Sequence, residues 1–145
     1  MKKILIVESD MDYAIKTGIY WGRKGFNPIF AFSIREAMAE IRTEMPVIIF
    51  ISQDLRDGKG TDFLRKIRTE GFDLPIVIRR TSENGEQFQY DLNKGATQIY
   101  KSEICVDRIN HTLDKIMKFV KEYFYKNMKM HNKERRRYHR THCRC

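Results

Sequence analysis

The sequence predicts a doubly wound α/β domain, and three observations carry that prediction. Apolar runs of strand length recur at Ile4–Val7, Pro28–Phe32, Val47–Ile51, Ile76–Ile78 and Thr97–Tyr100. The segments between them are long enough for a helix, giving a βα alternation repeated five times. Runs such as Val47-Ile48-Ile49-Phe50-Ile51 are apolar without alternation, the pattern of strands covered on both faces in a parallel sheet.

Each helix has its own signals. Asp12 to Lys24 sets Tyr13, Ile15, Ile19 and Tyr20 among polar residues and stops before Gly25. Ser33, with Glu36 three residues on, forms a capping box that opens a second helix through Ile41, ended ahead of Pro46. Thr61 to Arg68 is the third helix, with Gly71 just beyond it. Glu83 to Asn93 is the fourth, stopped at Lys94-Gly95. From Ile104 a long fifth helix carries Ile109, Leu113, Ile116, Met117 and Val120 at helical spacing. Beyond Tyr125 the apolar stripe thins out.

The 145 residues suit one domain of common size, read as residues 1–125, followed by a basic tail at 126–145. The composition, 41% hydrophobic and 32% charged, is that of a globular protein, and no apolar run approaches membrane-spanning length. A basic Met1-Lys2-Lys3 start with too short an apolar run is no signal peptide, so the expected location is the cytoplasm. Three cysteines, Cys105, Cys143 and Cys145, make no disulfide framework there. Of the net charge of +9, residues 121–145 hold +7, so the basic character belongs to the tail and not to the domain.

In a doubly wound sheet the chemistry gathers at the carboxyl ends of the strands. Five landmarks there occur in order over roughly residues 2–120: ILIVESD after the first strand, Pro46 opening the third, Gly60 with the following TDFLRKIR, LPIVI in the fourth, and KGATQIYKSE around the fifth. Together they resemble the response-regulator receiver family, CheY-like proteins of two-component signal transduction. The resemblance implies a flavodoxin-like (βα)5 fold with strand order 2-1-3-4-5. It also implies a site in which an aspartate ending strand three accepts a phosphoryl group, two acidic residues after strand one hold Mg²⁺, and a hydroxyl and a lysine after strands four and five contact the phosphoryl.

Carried over position by position, the acceptor falls on Ser52, eight residues before Gly60. The acidic pair falls on Glu8 and Ser9, the strand-four hydroxyl on Arg80, the loop proline on Arg56, and the lysine on Lys101 with the chain one residue shorter after Gly95-Ala96, or on Ser102 by an ungapped count. The aromatic switch position is disturbed, with Ile99 or Gln98 there and Tyr100 beside it. A carboxylate nucleophile and a neutralising divalent cation are what this phosphoryl transfer needs. Acceptor, metal carboxylate and hydroxyl are replaced together, so the expectation is a pseudo-receiver: no catalytic residue, no enzyme activity, no cofactor, no metal site, and Mg²⁺ binding weak or absent.

Asp10 and Asp54 are the nearby carboxylates that could rescue the chemistry, and the blander reading of each is a solvated loop carboxylate. Arg80, next to Glu8 and Asp10, is expected to replace the ion with a fixed guanidinium. The competing reading is that Arg79 and Arg80 divide, with one turned to solvent.

In the tail, Arg136 and Arg140 form an RxxxR arrangement preceded by Glu134-Arg135, which looks like the opening of a PilZ domain, a cyclic di-GMP binder. The rest of such a domain would lie beyond Cys145, so cyclic di-GMP is expected only where a full PilZ domain follows. His139, His142, Cys143 and Cys145 are too crowded for a zinc module.

The functional expectation is a phosphorylation-independent protein-interaction module. Its partners would be proteins or a downstream domain engaged through helix four, strand five and helix five, and the aromatics Phe119, Tyr123 and Phe124 suggest a homodimer or other partner contact, or packing against a following domain. The alternatives are an active phosphoacceptor using Asp54 and a nucleic-acid-binding basic arm.

Overall fold

The computed structural model describes residues 2–80 and 98–101, with positions 113, 114, 116–118, 120–122 and 125 beyond them. The chain divides into two compact units, Met1–Ile109 and Asn110–Cys145. In the first, β1 (Lys3–Val7), β2 (Asn27–Ala31), β3 (Ile48–Ser52), β6 (Ile76–Arg80) and β7 (Gln98–Lys101) form a five-stranded sheet in the order β2-β1-β3-β6-β7. Every pairing in it is parallel. In terms of the five predicted strands this order is 2-1-3-4-5, and each strand lies within two residues of its predicted place.

Among the described residues of this unit the helices are α1 (Met11–Arg23), α2 (Ile34–Glu44) and α3 (Gly60–Thr69). The predicted capping box at α2 forms with a shift. Ser33 accepts from the Glu36 N–H at 3.1 Å, while the Glu36 carboxylate reaches one residue further back, to the Phe32 N–H at 3.0 Å. The α1 helix starts a residue earlier than its apolar pattern suggests, because Asp10 caps it by accepting from the Tyr13 N–H at 3.2 Å. Such caps are worth about 1 kcal/mol.

A small antiparallel hairpin was not predicted. β4 (Asp54–Leu55) and β5 (Gly58–Lys59) pair across a two-residue turn at Arg56 and Asp57. It fills the connection between β3 and α3.

The pleat of the sheet sorts the side chains. Leu5, Val7, Ile49, Ile51, Ile76 and Ile78 point to one face and share a core with Ala37, Met38 and Ile41 of α2 and Phe63, Leu64 and Ile67 of α3. The alternate residues, including Ile4, Ile6, Ile48, Phe50 and Val77, are buried on the opposite face. There Trp21 of α1, fully buried, stacks on Phe50 at a centroid distance of 4.9 Å. This two-period sorting decides which side chains reach the carboxyl-end site.

In the second unit, the described positions between 113 and 125 are helical, with Leu113, Ile116 and Val120 buried at spacings of three and four. No helix among the described residues is long and apolar enough to cross a membrane. The expected fourth helix, the aromatics Phe119, Tyr123 and Phe124, and the tail with Arg136 and Arg140 lie outside the described residues.

Candidate functional site

The carboxyl ends of β1, β3 and β6 bring three expected site positions together, with one substitution of identity. Glu8 follows β1 and is 4% exposed, and Ser52 ends β3 and is 5% exposed. The arginine that meets them is Arg79, not Arg80. The Arg79 Nε and Nη2 atoms donate to Glu8 Oε2 at 2.9 and 2.7 Å, and Nη2 also approaches Ser52 Oγ at 3.4 Å.

The guanidinium beside Glu8 is thus that of Arg79, and the expected assignment to Arg80 is corrected. The physical reason is the pleat. Arg79 lies two residues after Val77 and shares its face with Ser52, its direct register partner, whereas Arg80 follows Ile76 and Ile78 to the other face. Glu8, two residues after Ile6, lies on the Arg79 side. Arg80 is itself buried, at 6% exposure, and stands in register with Lys101 at the end of β7.

The guanidinium has a third neighbour. Its carbon lies 3.8 Å from the Tyr13 ring centroid, a cation–π contact from the first turn of α1, in a place where Tyr13 is 5% exposed. The Glu8 carboxylate is satisfied at both oxygens, because Oε1 also accepts from the Asp10 N–H at 3.3 Å. Burial pushes the Glu8 carboxyl above its ordinary value of 4.5, and the adjacent Arg79 charge and hydrogen bonds pull against that shift.

The remaining positions are bonded within the loop. Ser9 Oγ and Ser52 Oγ both lie 3.4 Å from the Asp54 carbonyl oxygen. By the receiver resemblance, that carbonyl would help ligate the metal. The Asp54 carboxylate, 62% exposed, pairs across the hairpin with Lys59 Nζ at 2.7 Å, and the Asp10 carboxylate caps α1. This donor set does not fit a divalent cation: two of the positions are hydroxyls, and Glu8 is already engaged by a guanidinium. No cluster of three metal-ligating side chains occurs among the described residues.

The backbone around Ser52 is nevertheless built to a tight pattern. Gly60 N–H donates to the Gln53 carbonyl at 2.9 Å, and a Cβ at Gly60 would lie 2.6 Å from the Ser52 carbonyl oxygen. Only glycine fits there, which is why Gly60 served as a landmark in the sequence. The Gln53 side chain then brackets the start of α3, accepting from the Thr61 N–H at 3.2 Å and donating to Thr61 Oγ1 at 3.3 Å.

Beneath the ion pair, Glu8, Tyr13, Thr17, Phe50, Ser52 and Arg79 line a cavity of about 10 Å³. That is room for about one water. Arg79 and Tyr13 were not singled out as site residues from the sequence. Counting strand positions in twos from Ser52 and Val77 would have found Arg79, whereas nothing local marks Tyr13 as its lid.

No family model matches the chain. It is similar to the probable transcriptional regulatory protein y4xI of Sinorhizobium fredii, 24% identical over 107 residues, covering 74% of this chain and 46% of that protein. The chain spans less than half the length of the curated relatives it matches. Among solved structures, the CheY-like response regulator receiver domain protein from Methanospirillum hungatei superposes with a TM-score of 0.73 at 22% identity, covering 87% of this chain and 98% of that one. A two-component response regulator from Clostridium difficile gives 0.70 at 24% identity, covering 81% and 97%. With its strand order and these neighbours, the chain has the CheY-like fold of a response-regulator receiver domain.

Proposed function

We propose that this receiver domain works as a phosphorylation-independent protein-interaction module, held in one state by an internal cation. The observation that carries this reading is the Glu8–Arg79 pair with Ser52 beside it, at 2.7 Å and 3.4 Å from Arg79 Nη2. A serine offers no acyl phosphate, and the guanidinium stands where a phosphoryl-neutralising ion would be wanted. A serine ester would in turn require a kinase-type base and is not made by histidine-to-aspartate transfer. The domain then acts by binding a protein partner or a downstream domain of its own chain, with no catalysis of its own.

Incubation with acetyl phosphate and Mg²⁺ tests this, read by mass of the intact chain. The expected result is no added phosphoryl group. A hydroxylamine-labile adduct that disappears in an Asp54→Asn variant would instead establish the rival phosphoacceptor reading. That rival is disfavoured by the place of the Asp54 carboxylate, which is 62% exposed on the hairpin and does not line the pocket that holds Glu8, Ser52 and Arg79.

The tail reading rests on Arg136 and Arg140 alone and supplies no complete cyclic di-GMP site within this chain. Nucleic-acid binding through residues 126–145 would show as a steep salt dependence lost on their removal.

A further inference from the structure

The outer face of α1 carries an apolar seam that the receiver reading leaves unused. Met11, Ile15 and Ile19, at 52%, 49% and 49% exposure, recur every four residues along it. Gly22 continues the seam, with nothing within 4 Å of where its Cβ would be. Phe30 of the edge strand β2, 36% exposed with its ring against Gly18, widens the patch. Scattered surface apolar residues need no explanation, but a seam at helical spacing marks an interaction surface.

We propose that this face pairs with α1 of a second copy of the chain, antiparallel about a two-fold axis. The argument is self-complementarity, the condition an isologous interface must meet. Setting Ile15 against the partner's Ile19 satisfies the two-fold, since the reverse contact follows by symmetry. The same register brings Met11 to the open space over the partner's Gly22. It also brings the exposed Asp12 near the opening of α1 to the partner's Arg23, an exposed cation in the last turn. Neither Asp12 nor Arg23 has an ion-pair partner among the described residues. One helix pair covers less than the roughly 1,000 Å² that a stable interface needs, so the dimer is weak and forms as concentration rises.

The test uses the full chain with Cys105, Cys143 and Cys145 replaced by serine. In sedimentation equilibrium the chain shifts from monomer toward dimer with concentration. Ile15→Glu or Ile19→Glu raises the dimer dissociation constant at least tenfold without changing the circular dichroism spectrum. Asp12→Arg and Arg23→Asp each weaken the dimer, and the two together restore it. A Met11→Cys/Gly22→Cys pair, oxidised under dimer-forming conditions, gives a cross-linked species of twice the chain mass. Within one helix those positions are about 16 Å apart and cannot form a disulfide. A monomer at all concentrations overturns the proposal, as does a dimer indifferent to both glutamates, or one that never cross-links. A chain that dimerises only after residues 126–145 are removed overturns it too, by assigning the seam to the chain's own tail.

Discussion

Two ion pairs at the carboxyl end of the sheet have the same 2.7 Å separation and opposite consequences. Arg79 and Glu8 have side chains only 10% and 4% exposed, whereas Lys59 and Asp54 across the hairpin are 61% and 62% exposed. In water the attraction at that distance is largely screened and repays little more than the ordering of two long side chains. In the pocket the desolvation cost is already paid by the fold, and each partner is what makes the other tolerable there. The buried pair is therefore the one whose loss the fold should feel, and the exposed one lies at the rim.

Breaking the buried pair should give the largest effect. Arg79→Met strands the Glu8 carboxylate and is expected to cost about 3–5 kcal/mol, read from urea unfolding. It also removes the charge that holds the Glu8 pKa down, so that carboxyl should move further above its ordinary value in an NMR titration. Glu8→Leu combined with Arg79→Met should recover most of the lost stability, because a hydrophobic pair leaves no charge uncompensated. If the double variant is as unstable as Arg79→Met alone, the cost lies in packing against Tyr13 and not in the charge.

Two carboxylates sharpen the contrast through pH. Asp57 accepts from the Ile34 and Arg35 N–H groups at the opening of α2, at 2.8 and 3.1 Å, and these bonds hold its carboxyl below the ordinary 3.8. Its stabilising contribution is present above that value and lost as pH falls through the depressed one. Glu8, with a raised carboxyl, has the opposite sign. Its contribution is fully present below 4.5 and lost as pH rises through the raised value. Asp57→Asn should therefore flatten the acid side of the stability profile by no more than about 1 kcal/mol, given its exposure. Glu8→Gln should flatten the region above 4.5.

The smallest effect belongs to the exposed pair. Lys59→Ala is expected to change stability by about 0.2–1 kcal/mol, and less in high salt. A loss as large as that of Arg79→Met would mean the hairpin supports the site in a way its exposure does not suggest.

The strands were legible because a strand buried on both faces is apolar throughout, and Val47–Ile51 and Ile76–Ile78 are apolar runs of strand length that each follow a proline. The capping box at Ser33 and Glu36 was legible because its chemistry is local. The hairpin at Asp54–Lys59 was not, since a two-residue strand has no period to detect. The site was half legible. Glu8 and Ser52 follow from the receiver resemblance, and a guanidinium was expected in place of the ion. Choosing between Arg79 and Arg80 required following the pleat rather than the alignment, which marks the position of a lost hydroxyl and not the direction of the residue before it. Asp10 was weighed as a ligand, yet its carboxylate is taken by the α1 cap.

The most direct test of the internal cation is a Mg²⁺ titration followed by NMR amide shifts of the full chain. With Arg79 bonded to Glu8, and the Ser9 and Ser52 hydroxyls turned to the Asp54 carbonyl, the amides of Glu8, Asp10, Ser52 and Arg79 should stay in place through millimolar Mg²⁺. Saturable shifts at Glu8 and Asp10 would contradict the account, because they would show the ion entering a pocket the guanidinium is meant to fill.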